Sequence, residues 1–376
     1  MLRLFLIALA LLGDARIFLF VMNRFVWGSH RHEKSPWQWL MYVTPPALLV
    51  LTVAKVTEPW LFLAAAVGVY WILDRVRVLG LRVEPVGGTR TLPSDVIKLR
   101  KAHIPFPALR NLGAHNDVYD IDVTHHEVEI ANLPPSFDGY RIAFLTDTHV
   151  ASFMRRTFYR EVIAQTMRFD PDLVLLGGDF VTWERHIPLM AEVLLTDLAA
   201  RDGIYAVLGN HDYWANADGV VAAMTARGVR FVINRSITIR RGDGVIALAG
   251  IDEIYRGAPD VDAALAGIPP QMPCIAISHH PDIVDLLEDR RIDLLLAGHT
   301  HGGQIRFPFF GSIVVPSKHE AHYASGFHRA GSVLLYVSRG IGAIPPLRIL
   351  CKPEVATFVL RRASDDEKTL RALARY

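Results

Sequence analysis

Ile142-Ala143-Phe144-Leu145-Thr146 is a short, mostly apolar run that leads straight into Asp147-Thr148-His149, with two metal-capable side chains, and the chain repeats the device four times. Leu173–Leu176 runs into Gly177-Gly178-Asp179, and Ile204–Leu208 into Gly209-Asn210-His211-Asp212. Cys274–Ser278 leads to His279, and Ile292–Ala297 to Gly298-His299-Thr300-His301. Short apolar runs of this kind read as buried strands. Further strands are expected at Asp120–Ile130, Arg230–Ile233, Ile237–Arg240, Val245–Ala249, Val333–Val337 and Val355–Leu360. Helices are expected at Arg156–Arg168, Leu189–Ala200, Val220–Arg227, Val261–Leu265 and Ile283–Leu287. Early strands alternate with helices and later ones crowd together, an α/β pattern drifting toward mixed sheet. Binding sites in such sheets lie beyond the carboxyl ends of strands, where all five runs deposit nitrogen and oxygen donors.

The collected donors are Asp147, His149, Asp179, Asn210, His279, His299 and His301. Two carboxylates, one amide oxygen and four imidazoles are more than one ion needs. They suit two divalent ions about 3.5–4 Å apart that share a carboxylate. Without a thiolate, the set fits Mn first, and Fe, Zn, Co or Ni by the same chemistry. Each signal alone is weak, because a strand-end aspartate is also a good helix cap and His-x-His can share a face for packing reasons. Five strand ends acting together are not weak. The two cysteines, Cys274 and Cys351, cannot build a four-cysteine zinc site.

This ordered series, from Asp-x-His through Gly-Asn-His-Asp to Gly-His-x-His, resembles the calcineurin-like metallophosphoesterases over residues 133–360. The stretch from Leu133 to Ile142, Gly298 to Gln304, and Cys351-Lys352-Pro353-Glu354 resemble its membrane-associated bacterial branch, which includes enzymes similar to UDP-diacylglucosamine pyrophosphatase. The resemblance implies a β-sandwich flanked by helices, with a dinuclear site at one end. It implies that Asp147, His149 and His301 hold one ion, that Asn210, His279 and His299 hold the other, and that Asp179 bridges them. It also implies that the catalytic residue His211 faces the scissile phosphate, with Asp212 fixing its imidazole. Thr148 stands where leucine is common, and Thr182 where aspartate is frequent. Two cations would draw the pKa of a shared water from about 15.7 toward neutrality. The hydroxide would attack phosphorus in line while His211 serves the departing oxygen, a role worth about 10²–10⁴-fold.

Outside this region the texture is different. Five of the seven tryptophans lie in the first 73 residues, and hydrophobic residues reach 51% overall, which points to membrane. Trp37–Ala54 and Pro59–Leu73 carry no charge and are expected to be membrane helices edged by aromatic residues. Leu2–Met22 is read as a third, with Asp14 and Arg16 turned toward its neighbours. Arg24, Arg31 and Lys34 before the pair, and Arg75, Arg77 and Arg82 after it, place both flanks in the cytoplasm. The expected organisation is a transmembrane anchor over 1–82, a connector over 83–132, a catalytic domain over 133–362 and a tail over 363–376. In the connector, Val96–Lys101 is read as a basic loop or a segment lying on an anionic membrane.

The net charge of +2, with no basic stripe, argues against nucleic acid as a partner. The expected partners are the bilayer and a phosphoester substrate, lipid-linked on the strength of the anchor and the branch. The expected location is the inner membrane, multi-pass, with the catalytic domain on the cytoplasmic side. The competing readings are a broad phosphodiesterase without lipid preference and a non-catalytic, membrane-tethered metal-binding scaffold. His280 and Cys274 are read as second layer or core, and His125 and His126 as surface. Phe307, Phe309 and Phe310 are read as packing residues or an aromatic rim for an acyl chain.

Overall fold

The computed structural model describes residues 2–21, 47, 48, 52, 58–81, 86–99, 116–151, 154–287, 290–308, 311, 312 and 314–363. The chain divides into two compact units, 1–84 with 306–322, and 85–305 with 323–376. In chain order the strands are β1 (Thr89–Lys98), β2 (Asp120–Ile130), β3 (Arg141–Leu145), β4 (Leu173–Leu176), β5 (Ile204–Ala206), β6 (Val229–Phe231), β7 (Arg235–Arg241) and β8 (Gly244–Gly250). They continue as β9 (Cys274–Ile277), β10 (Leu294–Ala297), β11 (Arg306–Phe307), β12 (Gly311–Ser312), β13 (Gly326–Ala330), β14 (Val333–Val337) and β15 (Glu354–Arg362). The helices are α1 (Leu2–Val21), α2 (Glu58–Leu81), α3 (Arg156–Arg168), α4 (Ile187–Leu195), α5 (Asn210–Ala215), α6 (Ala217–Thr225) and α7 (Val261–Leu265).

The second unit holds two sheets, ordered β1-β2-β15-β3-β4-β5-β6 and β13-β14-β10-β9-β8-β7. Strand alternation explains how they stack. Ile142 and Phe144 of β3 join one apolar cluster with Leu173, Leu175, Ile275, Ile277, Leu294 and Leu296, drawn from both sheets. Ala143 and Leu145, one residue out of phase, join another with Phe158 and Val162 of α3 and Met190 of α4. On the far side, Ala276, Leu295 and Val337 pack with Ala264 of α7. The result is a sandwich with helices on both outer faces, each fully buried Phe or Leu contributing about 1.5–3 kcal/mol by leaving water. β3 to β6 run parallel, as do β8, β9, β10 and β14. Parallel neighbours end on the same edge, so each sheet delivers its strand-end loops together.

Three local expectations are corrected. Val96–Lys98 is not a loop: it closes β1, an edge strand antiparallel to β2. Pro93 sits at the register shift between Leu92 and Asp95, a break that an edge strand tolerates because proline has no N–H to donate. Arg100 and Lys101 lie outside the described residues. The stretch read as a helix at Ile283–Leu287 is a 3₁₀ segment, Pro281–Leu286, started by a proline after His280. His126 is buried rather than surface, with its ring against Tyr336, Phe327 and Phe358.

In the first unit α1 packs on α2 through small residues. Ala10 and Ala64 are fully buried, and a Cβ at Gly13 would fall 1.8 Å from the Ala64 carbonyl oxygen. A Cβ at Gly68 would lie 2.2 Å from the Leu9 carbonyl oxygen. The two backbones therefore touch, and only glycine fits. Leu4, Phe5, Phe62, Leu63, Tyr70 and Leu73 face outward, each more than half exposed. Asp14 accepts a hydrogen bond from Thr52 Oγ1, and Arg16 pairs with Glu320 at 2.7 Å, so both charges do turn toward neighbours. Among the described residues no helix is long and apolar enough to cross a membrane. Asp14 and Arg16 interrupt α1, and the charge-free part of α2 would rise only about 22 Å against a core of about 30 Å. Trp37–Ala54 falls almost wholly outside the described residues, as does the tail beyond Ala363.

Candidate metal centre

The seven donors expected from the sequence come from both sheets: Asp147 and His149 follow β3, Asp179 follows β4, Asn210 opens α5 after β5, His279 follows β9, and His299 and His301 follow β10. Ligand-capable atoms of Asp147, His149 and His301 gather in one group and those of Asp179, His279 and His299 in another, and His149, Asp179 and His211 form a third that joins them. Asp179 lies at the junction. Its Oδ2 is 3.4 Å from His149 Nε2 and 3.3 Å from His279 Nε2, while its Oδ1 accepts from the His211 backbone N–H at 2.8 Å. Within the first two of these groups the imidazoles meet nitrogen to nitrogen, His149 Nε2 to His301 Nε2 at 3.0 Å and His279 Nε2 to His299 Nδ1 at 3.1 Å.

The donor set fits divalent cations. Asn210 Oδ1 is buried with no hydrogen-bond partner, although a lone buried amide oxygen is costly unless something binds it. His279 Nδ1 lies 2.8 Å from the Gly177 carbonyl oxygen, which commits that N–H to the backbone and turns Nε2 toward Asp179. Burial holds His149 and His299 well below the ordinary histidine range, and burial with the nearby Arg348 charge takes His301 down to about 3. Burial would also depress His279, but Asp179, Asp147 and Glu253 outweigh it and carry the ring up to about 10. Burial pushes Asp179 up, and the surrounding histidines outweigh it, so it stays well below the usual carboxylate range. Three neutral imidazoles facing an ionised carboxylate are what a cation requires.

Close packing sets the positions. A Cβ on Gly209 would meet Asp179 Oδ1 at 2.2 Å, and one on Gly298 would meet Asp147 Oδ2 at 2.3 Å. Tyr159 of α3 donates its hydroxyl to the Thr148 and His149 carbonyls at 3.2 and 3.3 Å. Thr148 Oγ1 donates to the Phe180 carbonyl, so a threonine here joins the first two ligand loops.

His211 is half-buried beside the group, its ring 4.7 Å from His149 and 4.6 Å from Trp214. Asp212 is not its partner. The Asp212 carboxylate accepts from the backbone N–H groups of Phe180, Val181 and Gly209, tying the Asp179 loop to the Asn210 loop. A residue at N3 of a short helix can cap that helix, and here it reaches a second loop as well. His280 packs against His299, tilted and with 3.9 Å between ring centres, and receives the Asp282 N–H at Nδ1, a supporting place as expected. Phe307 is about half exposed, and Phe309 and Phe310 lie outside the described residues.

Several residues of the site were missed. Among the described residues Arg348 is the largest fully buried side chain. It donates to the carbonyls of Gly342, Arg339, Gly340, His301 and Cys351, and its Nη2 lies 3.3 Å from His301 Nδ1. The same loop supports Asp147, whose carbonyl accepts from Gly342 N at 2.6 Å. Nothing local in the sequence marks Arg348. Glu253 could have been found, because it follows the β8 run as the other donors follow theirs. Its Oε2 accepts from the N–H groups of Tyr255 and Arg256, and burial pushes it up to about 7.

The family model for calcineurin-like phosphoesterases matches residues 140–303. The uncharacterized metallophosphoesterase YkuE of Bacillus subtilis is 33% identical over 248 residues, 64% of this chain and 86% of that protein. The phosphodiesterase YaeI of Escherichia coli is 29% identical over 225 residues, 59% of this chain and 82% of that protein. A transmembrane protein with metallophosphoesterase domain from Bos taurus is 30% identical over 308 residues, 77% of this chain and 65% of that protein.

Proposed function

Because the chain belongs to the calcineurin-like metallophosphoesterases and is a metal-dependent phosphoester hydrolase, we propose that it cleaves phosphodiesters or pyrophosphates carried by amphiphilic molecules at a membrane surface. The observation that carries the chemistry is the meeting of two donor groups at Asp179. In this reading Asp147, His149 and His301 hold one divalent ion, Asn210, His279 and His299 hold the second, and Asp179 serves both. Mn is the first choice, and Fe, Zn, Co and Ni share its donor preferences. The ions, when bound, supply an activated water and neutralise phosphoryl charge. His211 shares a ligand-capable group with His149 and Asp179, and in this reading it is left out of the donor set and gives a proton or hydrogen bond to the departing oxygen. Asp212 and Arg348 hold the loops that carry the donors.

The membrane half of the proposal rests on the helical unit. Its helices meet through glycine and alanine and turn leucine and phenylalanine outward, the reverse of a water-facing helix pair. The name of the Bos taurus relative supports the same attachment. A lipid-linked substrate such as UDP-diacylglucosamine and a multi-pass place in the inner membrane, with the catalytic unit cytoplasmic, complete the reading.

The test is hydrolysis of a generic aryl phosphodiester by metal-stripped protein with Mn²⁺ added back, for wild type and Asp179→Asn. Activity should return in the wild type and stay at background in the variant. Equal recovery in both would remove Asp179 from the centre. Comparison of a soluble diester with a UDP-linked diacyl sugar in vesicles then tests the lipid preference, and equal turnover would overturn it.

A further inference from the structure

We infer that Trp214 and Arg256 form the leaving-group subsite, and that it takes a leaving group carrying its own phosphate. This rests on the reading of His211 as the residue facing the departing oxygen. The three residues form a continuous row. The Trp214 indole packs edge-on against His211, with ring centres 4.6 Å apart, and the Arg256 guanidinium carbon lies 5.2 Å from the indole centre. Trp214 is 54% exposed, an unusual state for so large an apolar ring in contact with a half-buried histidine.

Arg256 is held in place but not neutralised. Among the described residues it has no carboxylate partner, whereas Arg156, Arg201, Arg339 and Arg361 all do. Its backbone N–H is bound by the buried Glu253 carboxylate, which also takes the Tyr255 N–H. The turn that presents it is fastened to α5 by the Tyr213 hydroxyl, which donates to Asp252 Oδ1 at 2.6 Å. Asp252 in turn accepts from the N–H groups of Glu253 and Ala258. Tyr255, the preceding residue, lies 6.4 Å ring to ring from the donor His299. A fixed backbone beside the centre thus carries one unpaired guanidinium over an aromatic face. A guanidinium offers a planar fork of N–H donors suited to phosphate oxygens, and the indole offers a flat apolar surface to the attached organic group.

The experiment compares two substrates of the Mn²⁺-loaded full chain. Bis(p-nitrophenyl) phosphate releases a leaving group without phosphate, and a dinucleoside diphosphate releases one that carries it. The readout is the ratio of kcat/KM on the diphosphate to kcat/KM on the aryl diester, in which any loss of folded enzyme cancels. Arg256→Gln should lower that ratio about 10–100-fold, the scale of one charge-assisted hydrogen bond. Arg256→Lys should restore part of it, and Trp214→Leu should lower it less than Arg256→Gln. An unchanged ratio in Arg256→Gln would overturn the subsite, as would a wild type that cleaves the aryl diester and leaves the diphosphate intact. Cleavage of neither substrate by the wild type would overturn the proposed function, and the subsite with it.

Discussion

Five of the seven donors, Asp147, His149, Asp179, His299 and His301, hold a left-handed backbone with φ between 42° and 67°. Residues with a Cβ avoid this region at a cost of about 1 kcal/mol or more each, so strain is concentrated where the donors meet. No sequence pattern announces it, since aspartate and histidine are chosen here for their oxygen and nitrogen. Gly298 is the matching position that the sequence does mark. Gly298→Ala would drive a methyl into Asp147 Oδ2, and bound metal per chain should fall from two toward one or none by elemental analysis. His211→Ala should behave in the opposite way, keeping two ions and losing about 10²–10⁴ in turnover, and unchanged turnover would remove His211 from the reaction. Arg348→Met leaves the Arg339 and Gly342 carbonyls without their donor, so thermal unfolding should reveal a loss of about 3 kcal/mol. Chain order exposed the seven donors because each strand end is local. Arg348 and the true partners of Asp212 stayed hidden because they depend on which loops become neighbours.

At the scale of elements, the strands with continuous apolar runs were legible to within a residue or two, β3, β4, β9 and β14 among them. β1 and β13 were not, because edge strands are half-exposed and lack such a run. The junction of β2, β14 and β15 carries the clearest electrostatic consequence. Glu354 of β15 accepts from Thr124 of β2, from Tyr336 of β14, and from Ser338 and Arg339. Burial pushes its carboxyl up, but Arg339 outweighs burial and holds it at about 2, below the ordinary 4.5. A depressed carboxylate stabilises the fold above its unfolded pKa, and that contribution disappears as pH falls from about 4.5 to about 2. Denaturant melts at stepped pH should therefore show wild-type stability falling through this window more steeply than that of Glu354→Gln. Parallel slopes would mean that the Glu354 carboxyl is not depressed in the folded chain.

Across the whole molecule, the α/β class and the site edge were readable, while the stacking of two sheets came from the family resemblance. The segment 306–322, which clusters with the helical unit, had no signal at all, since Glu320 meets Arg16, 304 residues earlier in the chain. Ion removal is the test at this scale. Ions at about 100 times their dissociation constant add about 2.7 kcal/mol, so chelation should lower Tm by on the order of 5–10 °C. A Tm unmoved by chelator would mean that the two groups do not hold metal. Each proposed ion takes donors from both sheets, Asp147 and His149 with His301 on one side, Asn210 with His279 and His299 on the other. Meanwhile both cysteines, Cys274 and Cys351, are buried and unpaired. The centre would thus do for this chain what a disulfide does elsewhere, closing loops of more than sixty residues between sheets. Such a staple is indifferent to thiols and comes undone in a chelator.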